Sequence, residues 1–168
     1  MNKYFIISLS LLVILFISCN VQPEKSELKY YPISDLNGVI AQTGIQIDKD
    51  ISDDGNGSIR IDAVGPLVIQ LYFIDDVSVE ETQVVYEANV KSERLNGQAY
   101  LEMWRVFKDK GEFFSRGFDS VISETSDWKT IRTVFNLKKG ETPDQIKLNV
   151  VVNGTGTIWI DAVHLSKI

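Results

Sequence analysis

The stretch QAYLEMWRVFKDKGEFFSRGF, residues 98–118, gathers side chains suited to binding. Side chains alternate across a strand, so Tyr100, Glu102 and Trp104 share one face while Leu101, Met103 and Phe107 share the other. On the returning strand Phe114, Arg116 and Phe118 form one set. If the KDKG turn pairs Glu102 with Arg116, rings and charges meet on one surface; a register one residue away separates them. Flat rings stack on the apolar faces of sugar rings, and Glu and Arg beside them exchange hydrogen bonds with hydroxyls in fixed geometry. The candidate ligand platform is therefore Tyr100, Glu102, Trp104 and Arg116, with Gln70 and Tyr72 of LVIQLYF as further members. The same residues also admit a purely structural account, with Trp104 and Phe114 in the core and Glu102 and Arg116 as an ion pair.

A second candidate is Asp161 in TIWIDAVHL. Strict alternation groups it with Trp159, Val163 and Leu165, so its carboxylate needs a partner among apolar neighbours. One partner is calcium, which takes roughly six to eight hard oxygen ligands. The other is a set of backbone N–H groups or a nearby cation. IDKDISDDG supplies further acids, Asp48, Asp50, Asp53 and Asp54, of which Asp48 and Asp50 are the first choices as metal ligands beside Asp161. That segment is no EF-hand, because Ile61 stands where the loop's closing glutamate belongs. His164, the only histidine, falls on the opposite parity from Asp161 and reads as a surface or edge residue; with no second imidazole and no cysteine after Cys19 it cannot build a usual zinc site. NGTG at Asn153–Gly156 resembles part of a phosphate loop but stands between two strand-like runs, which predicts a tight hairpin.

The elements that position these residues are short and apolar-rich: SIRIDAV, LVIQLYFI, QVVYEANVKSE, QAYLEMWRVF, EFFSRGF, WKTIRTVFNL, QIKLNVVV and TIWIDAVHL. Most alternate or are rich in β-branched and aromatic residues. DDGNGS, LNGQ, KDKG, KKGETPD and NGTG stand between them as turn chemistry, and no segment carries an apolar stripe at helical spacing. This pattern predicts an all-β domain, a β-sandwich or jelly roll.

The first residues, MNKYFIISLSLLVILFISCN, hold one lysine, an apolar run from Tyr4 to Ile17, a small Ser18 and the only cysteine, Cys19. This arrangement predicts a bacterial lipoprotein signal over 1–18, with Cys19 as the lipidated N-terminus after cleavage and the folded part outside the cytoplasm. Polar NVQPEKSELK then predicts a tether over 19–29, with the ordered domain beginning near Tyr30 and running to 168. No cysteine follows, so disulfides and thiolate zinc sites are excluded there. The formal net charge of −6 falls to about −7 without the signal's lysine, which disfavours nucleic acid and anionic headgroups as partners.

SDDGNGSIRI, VVYEANVKSE, SDWKTIRTVFNL and GTIWIDAVHL, in that order, resemble the carbohydrate-binding modules of families 4 and 9, within the galactose-binding-domain-like jelly rolls. YLEMWRVF with GEFFSRGF and IKLNVVVNGTGTIWID is similar to a subgroup of such modules on bacterial envelope proteins. The resemblance implies non-catalytic glycan binding by a face or cleft of the sandwich, and a structural Ca2+ held through the aspartate at the position of Asp161.

Two functions from different classes are expected. One is a glycan-binding module attached to a membrane of the bacterial cell envelope through its lipid. The other is an interaction or structural lipoprotein of the same fold, docking an envelope protein without sugar binding. A glycoside hydrolase or lyase is disfavoured: it needs two carboxylates about 5–10 Å apart in a pocket, and no spacing in the sequence singles out such a pair.

Overall fold

A computed structural model describes residues 24–168, all strand, turn and loop; Cys19 and the residues of the expected signal lie outside them. The strands are β1 (Ser26–Tyr31), β2 (Gln46–Asp48), β3 (Ser58–Ala63), β4 (Leu67–Asp75), β5 (Gln83–Phe107), β6 (Gly111–Arg116), β7 (Ser126–Asn136) and β8 (Gln145–Lys167). The domain is an all-β jelly-roll sandwich.

Two of these strands are unusually long, 25 residues for β5 and 23 for β8. They pair antiparallel almost end to end, from Val84 opposite Lys167 to Val106 opposite Gln145. This ribbon bends in its middle and contributes to both layers. Its 98–107 and 145–152 half is flanked by β4 on the β8 side and β6 on the β5 side, forming the first layer. The other half is flanked by β3 and β1 along β8 and by β7 along β5, with β2 on β3, forming the second.

Between the layers, Leu101, Met103, Leu148 and Val150 pack with Tyr86, Val90, Ile158, Ile160 and Leu165 in one core, each without measurable exposure. Burial of such side chains supplies roughly 1.5–3 kcal/mol apiece against the entropy of ordering the chain.

The bend corrects two expectations. LNGQ is not a turn between strands and NGTG is not a hairpin: they lie inside β5 and β8, where Gly97 and Gly154 stand opposite each other. A Cβ on Gly97 would lie 2.2 Å from the Asn153 carbonyl oxygen, and one on Gly154 would lie 2.1 Å from that of Asn96. The two backbones therefore touch where the ribbon turns, and only glycine fits. A register shift between Glu93 and Asn96, with Arg94 at φ 53°, completes the corner. This bulge also changes parity, so β5 turns even-numbered residues into the core before the corner and odd-numbered ones after it.

The first strand starts at Ser26, within the stretch expected to be tether. β1 runs along the C-terminal end of β8 as a mostly exposed edge, so its sequence SELKYY carries little apolar alternation.

Gly97→Ala and Gly154→Ala are expected to lose about 2–4 kcal/mol of stability in urea unfolding, as substitutions that force backbone apart do. Gly65→Ala, whose added Cβ meets nothing within 4 Å, is the control and should stay within about 0.5 kcal/mol of the parent.

Candidate functional site

The outer face of the first layer carries three rows of side chains set by register. The central row crosses four strands: Gln70 on β4, Asn149 on β8, Glu102 on β5 and Arg116 on β6 are successive cross-strand neighbours. Above it run Phe73, Lys147, Trp104 and Phe114; below it run Val68, Val151 and Tyr100. The Glu102–Arg116 register that gathers rings and charges is the one the hairpin adopts. A groove of about 330 Å³ opens over these rows, with Val68, Gln70, Trp104, Arg116, Lys147 and Asn149 among its walls.

Glu102 is the hub of this face. It is 4% exposed, and its two carboxylate oxygens are shared among three donors. Trp104 Nε1 donates to Oε1 at 2.6 Å and Asn149 Nδ2 to the same oxygen at 3.2 Å, while Arg116 Nε donates to Oε2 at 2.7 Å. Burial pushes its pKa up, but the bonds from Trp104, Arg116 and Asn149 outweigh burial and hold the carboxyl below its usual range. The same bonds fix the indole and the guanidinium. Arg116 lies 4.4 Å over the Phe114 ring, and Trp104 and Phe114 meet at 5.0 Å and 44°. Lys147 Nζ donates to Glu112 Oε1 at 2.8 Å on the rim.

Two platform candidates take other places. Tyr72 is 3% exposed and stacks on Tyr31 at 3.7 Å in the core. A bulge is responsible: Leu71 has no partner on β8, its carbonyl accepts the Ile40 N–H at 2.9 Å, and the extra residue turns Tyr72 inward while Gln70 stays outward. Tyr100 does share the face of Glu102 and Trp104, but it is 7% exposed, beneath Phe118 in an edge contact at 4.9 Å. The accessible rings are those of half-buried Trp104 and exposed Phe114 and Phe118. Asn149 escaped the sequence reading although its signal is present, a lone polar residue within LNVVV.

Asp161 lies on the outer face of the second layer. Ala162, at φ 47°, forms a bulge, so Val163 and Leu165 enter the core while Trp159 and Asp161 stay outside it, against the strict alternation expected. The loop after β2 covers both. Asp161 Oδ2 accepts the N–H groups of Asp53 at 2.9 Å and Asp54 at 3.3 Å, and Oδ1 accepts that of Ala162 at 2.7 Å. Burial still raises the Asp161 pKa. Asp48 Oδ2 takes the Trp159 indole N–H at 2.9 Å and its Oδ1 takes two backbone N–H groups, while Asp50 is exposed. Each carboxylate oxygen of Asp161 and Asp48, the oxygens that calcium would use, accepts at least one N–H in this arrangement. Among the described residues no three acidic, histidine or cysteine side chains gather around one point. His164 stacks on Tyr30 at 4.4 Å, with Nδ1 2.9 Å from Glu27 Oε2.

No family model matches the sequence, and no curated protein sequence matches it. The fold does have solved neighbours. The CBM22-1 xylan-binding domain of Paenibacillus barcinonensis Xyn10C superposes with a TM-score of 0.59 at 13% identity, over 84% of this chain and 94% of that one. The CBM22-1 and GH10 modules of Clostridium thermocellum xylanase 10B, complexed with xylohexaose, give 0.58 at 12% identity over 83% of this chain. This chain spans only 28% of that longer protein. The family 30 carbohydrate-binding module of the C. thermocellum cellulosomal cellulase Cel9D-Cel44B gives 0.53 at 12% identity, over 84% and 96% of the two chains. The chain is thus similar in fold to carbohydrate-binding jelly rolls.

Two outcomes are expected. Because Glu102 titrates below its unfolded value, its stabilisation is complete above the unfolded pKa and is lost as pH falls through the folded one. Glu102→Gln should therefore cost about 1–2 kcal/mol at pH 7, a deficit that shrinks below about pH 4 when both proteins are unfolded by urea across a pH series. Millimolar EDTA or added calcium should leave the melting temperature of the wild type unchanged, as measured by calorimetry, since Asp161 is held by N–H groups.

Proposed function

We propose that this chain is a non-catalytic glycan-binding module whose site is the groove on the outer face of the first layer. The observation that carries this reading is the four-strand row of Gln70, Asn149, Glu102 and Arg116, flanked by the rings of Trp104 and Phe114. An aromatic wall beside fixed donors and acceptors suits a ligand with alternating apolar faces and hydroxyls. The neighbours named above as a xylan-binding domain and as modules complexed with xylohexaose support the same ligand class.

The acids of the groove favour binding over turnover. Glu102 is buried, tied to three donors and held ionised, and Glu112 is paired with Lys147, so neither is poised as a proton donor to a glycosidic oxygen. We further propose, from the n-region, apolar run and Cys19, that the module is carried on the bacterial cell envelope by an N-terminal lipid. One feature favours a protein partner as a second reading: Phe113, 44% exposed, points to the opposite side of β6 from Phe114 and does not serve the groove.

Affinity electrophoresis and calorimetry against neutral xylan, mixed-linkage glucan and mannan chains test the first reading. Trp104→Ala should weaken binding about tenfold, which corresponds to roughly 1.4 kcal/mol, while Phe113→Ala leaves it unchanged. Equal affinity for the parent and a folded Trp104→Ala variant, or loss of binding only with Phe113→Ala, would sink it.

A further inference from the structure

The groove does not end at Arg116. A second hollow of about 490 Å³ opens on the other side of that residue, where the chain leaving β6 runs beside β7. Its walls include Arg116, Arg132, Ser120, Thr133 and Gln83, with Asp119 as the one carboxylate among them. The two arginines are brought together by the backbone. Gly117 lies so close to β7 that a Cβ there would stand 2.3 Å from the Arg132 carbonyl oxygen, and Ser120 Oγ accepts the Arg132 N–H at 3.2 Å.

Arg116 has a prepared guanidinium. Its Nε is spent on Glu102 and its plane lies against Phe114, yet among the described residues its two terminal nitrogens have no hydrogen-bond acceptor. The Arg132 side chain, exposed on β7, has neither a hydrogen bond nor an ion pair among the described residues. The free terminal nitrogens of Arg116 and the unpaired guanidinium of Arg132, beside hydroxyls in a protein of net charge −6, stand out locally against the acidic whole. Planar guanidinium groups hold carboxylates with two parallel N–H bonds, a geometry that neutral hydroxyls do not reproduce.

We infer that this second hollow is a subsite for a carboxylate-bearing sugar unit, held between Arg116 and Arg132, of a glycan chain whose neighbouring units occupy the groove over Trp104. The inference rests on the glycan-binding reading and adds to it the class of sugar: a uronic-acid polymer is preferred to a neutral one. Because Arg116 lines both hollows, it is the hinge between the neutral and the acidic parts of the site.

The test compares an oligogalacturonate hexamer with its fully methyl-esterified form, and both with xylohexaose, by calorimetry on the domain at low and high salt. The acid should bind about tenfold more tightly than the ester at low salt, and the preference should shrink as salt screens the pair. Arg132→Gln should abolish most of that preference, weakening binding of the acid far more than that of the ester or xylohexaose. Lys139→Gln, which removes the same charge from an exposed loop outside both hollows, should change none of the three. Equal affinity for acid and ester, or a preference that survives in Arg132→Gln, overturns the subsite. If xylohexaose and ester still bind in that case, the glycan-binding reading stands without it; if no saccharide binds, both fall together.

Discussion

The contact of two backbones at Gly97 and Gly154 is the constraint on which the molecule rests. A flat ribbon of the length of β5 and β8 could not enclose a core; it must fold over, and the inner radius of that fold leaves no room for side chains. Once the ribbon is folded there, both halves acquire their facing partners, and β4 and β6 find their edges on one layer as β3, β1 and β7 do on the other. The bulge at the corner also decides which residues of β5 look outward beyond it. Tyr100, Glu102 and Trp104 lie on the outward side of the first layer because the parity changed at Glu93–Asn96.

The face that carries the proposed site inherits its precision from that arrangement. Glu102 sits on a strand bonded on both sides, so its position is set by the sheet rather than by a loop, and three side chains are oriented through it. A buried carboxylate is costly unless its lone pairs are filled, and here each donor that fills them belongs to the outer face of the layer. The site is preorganised by satisfying a charge. Asp161 obeys the same logic in the second layer, where its donors are backbone groups and the outcome is a pinned loop.

Alternation within single strands was the most legible part of the sequence. The faces of Tyr100, Glu102 and Trp104, the hairpin over KDKG and the all-β class all come from local pattern. The misreadings fall where a residue is inserted into a strand. Leu71 and Ala162 each reverse the parity of the residues C-terminal to them, moving Tyr72, Val163 and Leu165 to the core, and nothing in LVIQLYF or TIWIDAVHL marks the insertion. The bulged Leu71 gives its carbonyl to the N–H of the distant Ile40, a contact that is tertiary information. Asn-Gly at the corner was ambiguous for a different reason. Glycine is needed where a chain reverses and also where two chains touch, and composition cannot separate the two uses.

Strand β1 belongs to the second layer, running along the end of β8, whereas the row centred on Glu102 looks outward from the first. The described residues therefore enter the fold on the far sheet. Under the proposed function, a long polymer lying across the four-strand row extends past both margins without meeting the strand on which the described residues begin.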